Sequence, residues 1–303
     1  MCLAGGQRSF ANAELLLTEF LGWHVSDERI RQACHAEADR VAAWRADAPA
    51  PAGVETPPVE FQVDATKVNT TGGWRDMKLG VFAWRRPGPA ASPDAWDQRT
   101  LPTPTHRLAF AAVEEIGAFG PRWGAWATRL GLTSFDRLSV LGDGAEWIWN
   151  AADDQFPGSR GVLDFFHAAE HLAGAAAGLF GDGTAEARAW YDAGRTALLG
   201  DGWYGVQEHV GATLCGTVSD AGRAAIDALL AYLVNHSGRL NYRHRLACGE
   251  PIGSGLIEGA CKQVIGKRMK QTGARWTVAN ANRMAELCCL TYSGQWSDYW
   301  LAA

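Results

Sequence analysis

The chain has 303 residues, 47% hydrophobic and 20% charged, with a formal net charge of −5. That length supports one large domain or two small ones, and the composition excludes wholesale disorder. No apolar run reaches the roughly 18 residues of a membrane span, and MCLAGGQRSF at the start is not a charged-then-apolar leader, so a soluble cytoplasmic protein without a membrane partner is expected.

In chain order, residues 9–46 read as helical. SFANAELLLTEFLGWHV has apolar residues at helical spacing, Gly22 marks a turn, and Ser26 can cap a second helix. Two helices around a glycine fit a helix-turn-helix, and equally fit packing or dimer formation. The first segment is therefore set at 1–46. A Pro/Ala-rich linker is expected over 47–58.

Past the linker, Val59, Phe61 and Val63 alternate with polar residues, as in a half-buried strand. DMKLGVFAW (76–84) reads as its hairpin partner. A Pro-rich loop leads to a third strand, RLAFAAV, and then to an amphipathic helix, PRWGAWATRLGL. RLSVLGD and GVLDFF are short apolar runs that suit buried strands. From Phe165 to about Ser237 the pattern is helical, with Gly181, Gly200 and Gly216 expected to break it. It turns helical again from Leu256 to the end. The order predicts an α/β fold, with a mixed sheet and helices added late.

Three of the strand candidates end in aspartate: Asp64, Asp143 and Asp164. Ligands of open α/β sheets bind at the carboxyl ends of strands, so three such acids point to a shared site. A fourth acid, Glu258, lies in IGSGLIEGACKQVIGKRMK, at the start of a helix with Lys262 and Lys267 nearby. An N-terminal cap or an i,i+4 pair with Lys262 would also account for it. Clustered carboxylates suit hard divalent cations, and two such ions can drive phosphodiester chemistry.

Charge placement points the same way. Between Gly238 and Arg283 nine Lys or Arg face two acids, Glu250 and Glu258, for a local +7 that leaves −12 on the rest of the chain. A basic end on an acidic protein suits a polyanion. Two other patterns compete with this reading. HAAEH (167–171) matches the H-x-x-E-H pattern of zinc peptidases, with Glu250 or Glu258 as third ligand. The seven cysteines are scattered without a C-x-x-C pair, which favours reduced core residues over a cysteine metal site.

GDGAEWIWN, GVLDFFHAAEHL and IGSGLIEGACKQVIGKRMKQTGARWTVANANRM, in this order, resemble bacterial insertion-sequence DDE transposases of the ISKra type, relatives of the Mutator-like superfamily. The resemblance covers about residues 59–300. It implies an RNase H-like catalytic domain over 59–303, with a helical insertion at about 165–250. It also implies a triad of Asp64, Asp143 and Glu258 holding two Mg²⁺ or Mn²⁺ ions. Asp164 and His167 (DFFH) become accessory residues, and Arg268, Lys270, Arg275 and Trp276, with Lys262 and Lys267, face DNA. Trp147 and Trp149, after the second acid, are read as core or site residues.

The implied activity is metal-dependent DNA cleavage and strand transfer. The partners are double-stranded DNA, both element ends and target, and further copies of the chain in a homodimer or larger assembly. The setting is the bacterial nucleoid. Ala65 stands where relatives often have Gly. Their N-terminal cysteine-rich zinc region has no counterpart here, so a truncated or remnant copy, or an inactive DNA-binding remnant, is an expectation too.

Overall fold

The computed structural model describes residues 1–303 except 48, 49, 52, 55 and 217. The linker expected over 47–58 falls in part on those positions and to that extent lies outside the described residues. Three helices come first: α1 (Cys2–Gln7), α2 (Phe10–Leu21) and α3 (Asp27–Asp47). Ser9 caps α2 by accepting from the Asn12 amide at 3.2 Å, and Gly22, at φ 65°, closes it in the left-handed conformation that glycine tolerates. Helix α1 had no signal beyond its small residues and was not anticipated.

β1 (Glu60–Thr70) and β2 (Gly73–Trp84) form an antiparallel hairpin, and β3 (His106–Ala112) adds antiparallel to β2. Val59 lies outside β1 and is exposed, so the alternating face begins at Phe61 rather than at Val59. α4 (Ile116–Arg129) leads to β4 (Ser139–Gly142), and α5 (Glu146–Gln155) to β5 (Arg160–Leu163). β4 is parallel to β1, and β5 to β4. The result is a five-stranded mixed sheet, order β3-β2-β1-β4-β5.

The helical block contains α6 (Phe165–Phe180), α7 (Ala185–Leu214), α8 (Asp220–Asn235) and α9 (Tyr242–Ala247). Gly181 and the region of Gly216 do separate helices. Gly200 does not; α7 runs through it and kinks at Asp201–Gly202, where Gly202 takes φ 57°. After α10 (Gly255–Ala260) comes a π-helical turn (Cys261–Gly266), then α11 (Lys267–Met269), α12 (Val278–Tyr292) and α13 (Trp296–Ala302). The last helical stretch is thus interrupted over 270–277, where Trp276 bridges to Thr70 at the end of β1.

The pleat sorts the sheet's side chains onto two cores. Phe61, Val63, Phe82 and Phe110 face one layer with α4–α9. Val68, Met77, Leu79 and Ala109 face the other, with α3, α10 and α12. Among the described residues no helix is long and apolar enough to cross a membrane.

Candidate active site

Strand register brings the three aspartates together. Gln62 of β1 pairs with Leu141 of β4, and Gly142 of β4 with Leu163 of β5. Continued by two residues, the first pairing sets Asp64 beside Asp143. Continued by one, the second sets Asp143 beside Asp164. Neighbouring strands lie about 4.8 Å apart, so the three stand abreast, Asp143 and Asp164 just past the ends of β4 and β5 but Asp64 inside β1, which runs on to Thr70 instead of ending at the aspartate as expected.

Their surroundings then separate them. Asp164 is fully buried. Its Oδ1 accepts from the amides of Phe166 (2.6 Å) and His167 (3.2 Å), which caps α6. Its Oδ2 accepts from the Ser254 amide (2.7 Å) and the Ser254 hydroxyl. With both oxygens taken, Asp164 is a tether holding the start of α10, not a free ligand. A Cβ at Gly253 beside it would lie 2.8 Å from the Phe166 ring, so a larger residue there would have to displace that ring. A second tether joins α10 to β1: the Ile257 amide donates to Gln62 Oε1 at 3.0 Å. Glu258 therefore rides on a helix fixed to both β1 and the β5 end.

Asp64 and Asp143 are half-buried and less satisfied. Asp64 Oδ1 accepts from the adjacent Ala65 amide at 2.6 Å, and Oδ2 faces the Cys261 thiol at 3.9 Å. Burial pushes the Asp64 carboxyl above the ordinary aspartate range. The Ala65 amide opposes that shift, the Asp143 charge adds to it, and His167 favours the ionised form. Cys261 answers in kind: burial pushes its thiol up to about 12, with the Asp64 charge contributing.

The Asp143 loop is locked from the helical block. Asp143 Oδ1 accepts from the Ala145 amide (3.0 Å), and Gly144 takes φ 98°. The Tyr232 hydroxyl of α8 donates to the Asp143 carbonyl at 3.1 Å. A Cβ on Gly144 would come within 2.6 Å of that hydroxyl, so only glycine fits. The His171 ring stacks on Tyr232 at 3.6 Å, and the His236 ring lies 5.0 Å away. Burial and the nearby Asp143 charge raise the Tyr232 hydroxyl, which stays a protonated donor.

Glu258 is exposed, one turn before Cys261, whose thiol meets Asp64. Among the described residues no three His, Cys, Asp or Glu side chains are grouped as a ready metal cage. The donor set suits a hard divalent cation at two positions, the oxygens of Asp64 and Asp143, whose like charges already act on each other. Glu258, exposed on α10, is not grouped with them.

The basic end divides sharply. Arg268 and Trp276, expected at a DNA surface, are both buried. Arg268 Nε donates to the Gly5 carbonyl (2.7 Å), and its guanidinium sits over Phe10 and Trp276. Both residues anchor the N-terminal helices, because a cation beside two rings gains more from packing than from solvent. Arg245 is buried too, while Arg239, Arg243 and Arg283 engage Trp149, Asp201 and Asp39. Of the cations expected to face DNA, Lys262, Lys267, Lys270 and Arg275 are exposed, and Lys270 Nζ reaches Thr66, two residues along β1 from Asp64. Trp149 is buried in the core, and Trp147 is partly buried against it.

For the zinc-peptidase pattern, Glu250 lies at the other end of the sheet, bound to Arg245 (2.9 Å) and Arg160 (3.3 Å), and His171 is stacked on Tyr232. Glu250 is therefore not available as third ligand. No protein-family model matches the chain, and no curated protein matches it.

Gln62, Tyr232 and His236 do not stand out in the sequence, and Ser254 and Cys261 read there only as a helix entry and an apolar face, not as partners of Asp164 and Asp64. Gln62 carried the one available signal, a polar residue inside an apolar strand two positions before Asp64. Tyr232 and His236 are four apart on one helix, a spacing too common to select them.

Proposed function

We propose that the chain is a DDE-type DNA transposase similar to the ISKra insertion-sequence enzymes, with an RNase H-like catalytic domain over 59–303. The observation that carries this reading is the Asp64–Asp143 pair, abreast where β1 pairs with the parallel β4, with the Asp64 carboxyl raised by burial and, to a lesser degree, by the Asp143 charge. The sheet order, three antiparallel strands followed by two parallel ones, agrees with it.

Mg²⁺ or Mn²⁺, as a pair of ions, would supply activation of the attacking water or 3′-hydroxyl and stabilisation of the leaving oxygen. The chain's own residues do the rest. Asp64 and Asp143 present the oxygens that hold the charge, and Glu258 closes over them from α10. Asp164 and Gln62 keep α10 in place. His167 favours the Asp64 carboxylate. Tyr232 fixes the Asp143 loop. Lys262, Lys267, Lys270 and Arg275 offer salt-sensitive contacts to the phosphate backbone of duplex DNA. Assembly as a homodimer or larger complex, and work on bacterial DNA in the cytoplasm, belong to the same proposal.

The test is nicking or strand transfer on DNA carrying the element's ends, with Mg²⁺ or Mn²⁺. Cleavage by the native chain, lost in Asp143→Asn, is expected. Equal cleavage by Asp143→Asn would refute the assignment. A second reading, a DNA-binding remnant without cleavage, is favoured by the exposed position of Glu258. It predicts salt-sensitive DNA affinity with no divalent-dependent product.

A further inference from the structure

The amino ends of the same strands border a separate cavity of about 370 Å³. Glu60 begins β1 there, Ser139 begins β4 and Arg160 begins β5. Glu60 is four residues from Asp64, so the cavity lies about 13 Å along the strand from the acidic pair. One phosphate cannot serve both places.

Arginines dominate the lining. Arg85 Nε donates to Glu60 (2.9 Å) and its NH1 to the Pro102 carbonyl (2.6 Å). Arg245 Nε donates to the Pro251 carbonyl (2.7 Å), and its NH1 meets Ser139 Oγ (3.1 Å) and Glu250 (2.9 Å). Glu250 is shared with Arg160 at 3.3 Å. Burial lowers the Arg245 guanidinium to about 10, Glu250 opposes this, and the Arg160 charge lowers it further. On the rim, Arg86 and Arg137 are exposed and have no acidic partner among the described residues. The third acid, Asp136, accepts instead from Ser134 at 2.6 Å. Five arginines thus meet three carboxylates around one hollow, a local excess of two positive charges.

These carboxylates and carbonyls hold the inner guanidinium groups in fixed directions without using all their N–H donors; each guanidinium carries five. Planar forks held in place are suited to bidentate recognition of phosphate oxygens. The volume fits a small ligand rather than a duplex.

We propose that this cavity is a second, anion-binding site that takes a phosphate group, carried either by a free small molecule or by a nucleic-acid strand. The site does not rest on the transposase reading. It sets two recognition functions at opposite ends of one pair of parallel strands, cations at the acids and anions at the arginines.

Calorimetric titration of the full chain at low salt tests this, with inorganic phosphate, adenosine monophosphate and a short single-stranded oligonucleotide as probes. The double variant Arg86→Ala/Arg137→Ala removes only exposed side chains, and unchanged thermal melting shows that it folds. Binding of at least one probe is expected, weakened about tenfold or more in the double variant. Binding of the oligonucleotide alone assigns the phosphate to a strand; binding of inorganic phosphate or the mononucleotide assigns it to a free anion. Equal affinity of native and double-variant chains for every probe, or no binding of any probe, overturns the proposal. Neither outcome bears on DNA cleavage, so this site and the catalytic reading fail separately.

Discussion

The two ends of the β1–β4 pairing treat charge in opposite ways. At the amino end, Glu60 is buried but meets Arg85 at 2.9 Å, and Glu250 meets two arginines. At the carboxyl end, Asp64 meets Asp143 and a thiol, and its carboxyl is pushed up by burial and like charge. An acid beside an arginine is satisfied by the chain itself. Asp64 and Asp143 take amide hydrogen bonds but no ion pair among the described residues. Even within the acidic end the contrast repeats: Asp164 spends both oxygens on amides and a hydroxyl. Register places three aspartates alike, and their hydrogen bonds decide which can act.

The contrast can be broken most severely at Asp143. Asp143→Asn is expected to cut metal-dependent DNA cleavage by about a thousandfold or more, measured as plasmid nicking, while folding is kept. Asp164→Ala should act through stability instead. Losing a helix cap and the buried partner of Ser254 is expected to cost about 3 kcal/mol in denaturant unfolding; a cost below about 1 kcal/mol would mean Asp164 is no tether. Tyr232→Phe removes one hydrogen bond, worth about 1 kcal/mol. Cleavage should fall several-fold with the melting point almost unmoved, and full activity would free the Asp143 loop from Tyr232.

The smallest effect is the most specific. A carboxyl whose pKa is raised by folding contributes stability only while protonated, fully below about 3.9 and lost as pH rises through its folded value. Native Asp64 is therefore a liability at neutral pH. Asp64→Asn is expected to raise the melting temperature by roughly 1–2 °C at pH 7, with the gain vanishing below about pH 4. A lowered melting temperature at pH 7 would contradict the crowded acidic end.

Much of this was legible in the sequence. The strand-end positions of Asp143 and Asp164 followed from short apolar runs, and the helical block from its composition, whereas Asp64 lies inside a strand that continues to Thr70 through its hairpin pairing. What was not legible depended on long-range contact. Arg268 and Arg275 look alike in a basic run, yet Arg268 is buried between Phe10 and Trp276, residues far apart in sequence, while Arg275 stays exposed. The π-helical turn after α10 keeps the apolar spacing of a helix, so periodicity could not reveal it. The arginine cavity draws on five separate stretches of chain, each ordinary alone.

The most direct measurement of the central claim is Mn²⁺ binding by calorimetry to the native chain and to Asp64→Asn, Asp143→Asn and Glu258→Gln. The account predicts binding by the native chain, weakened about tenfold or more in each of the three variants. Unchanged affinity in Asp143→Asn, with the fold intact, would contradict it.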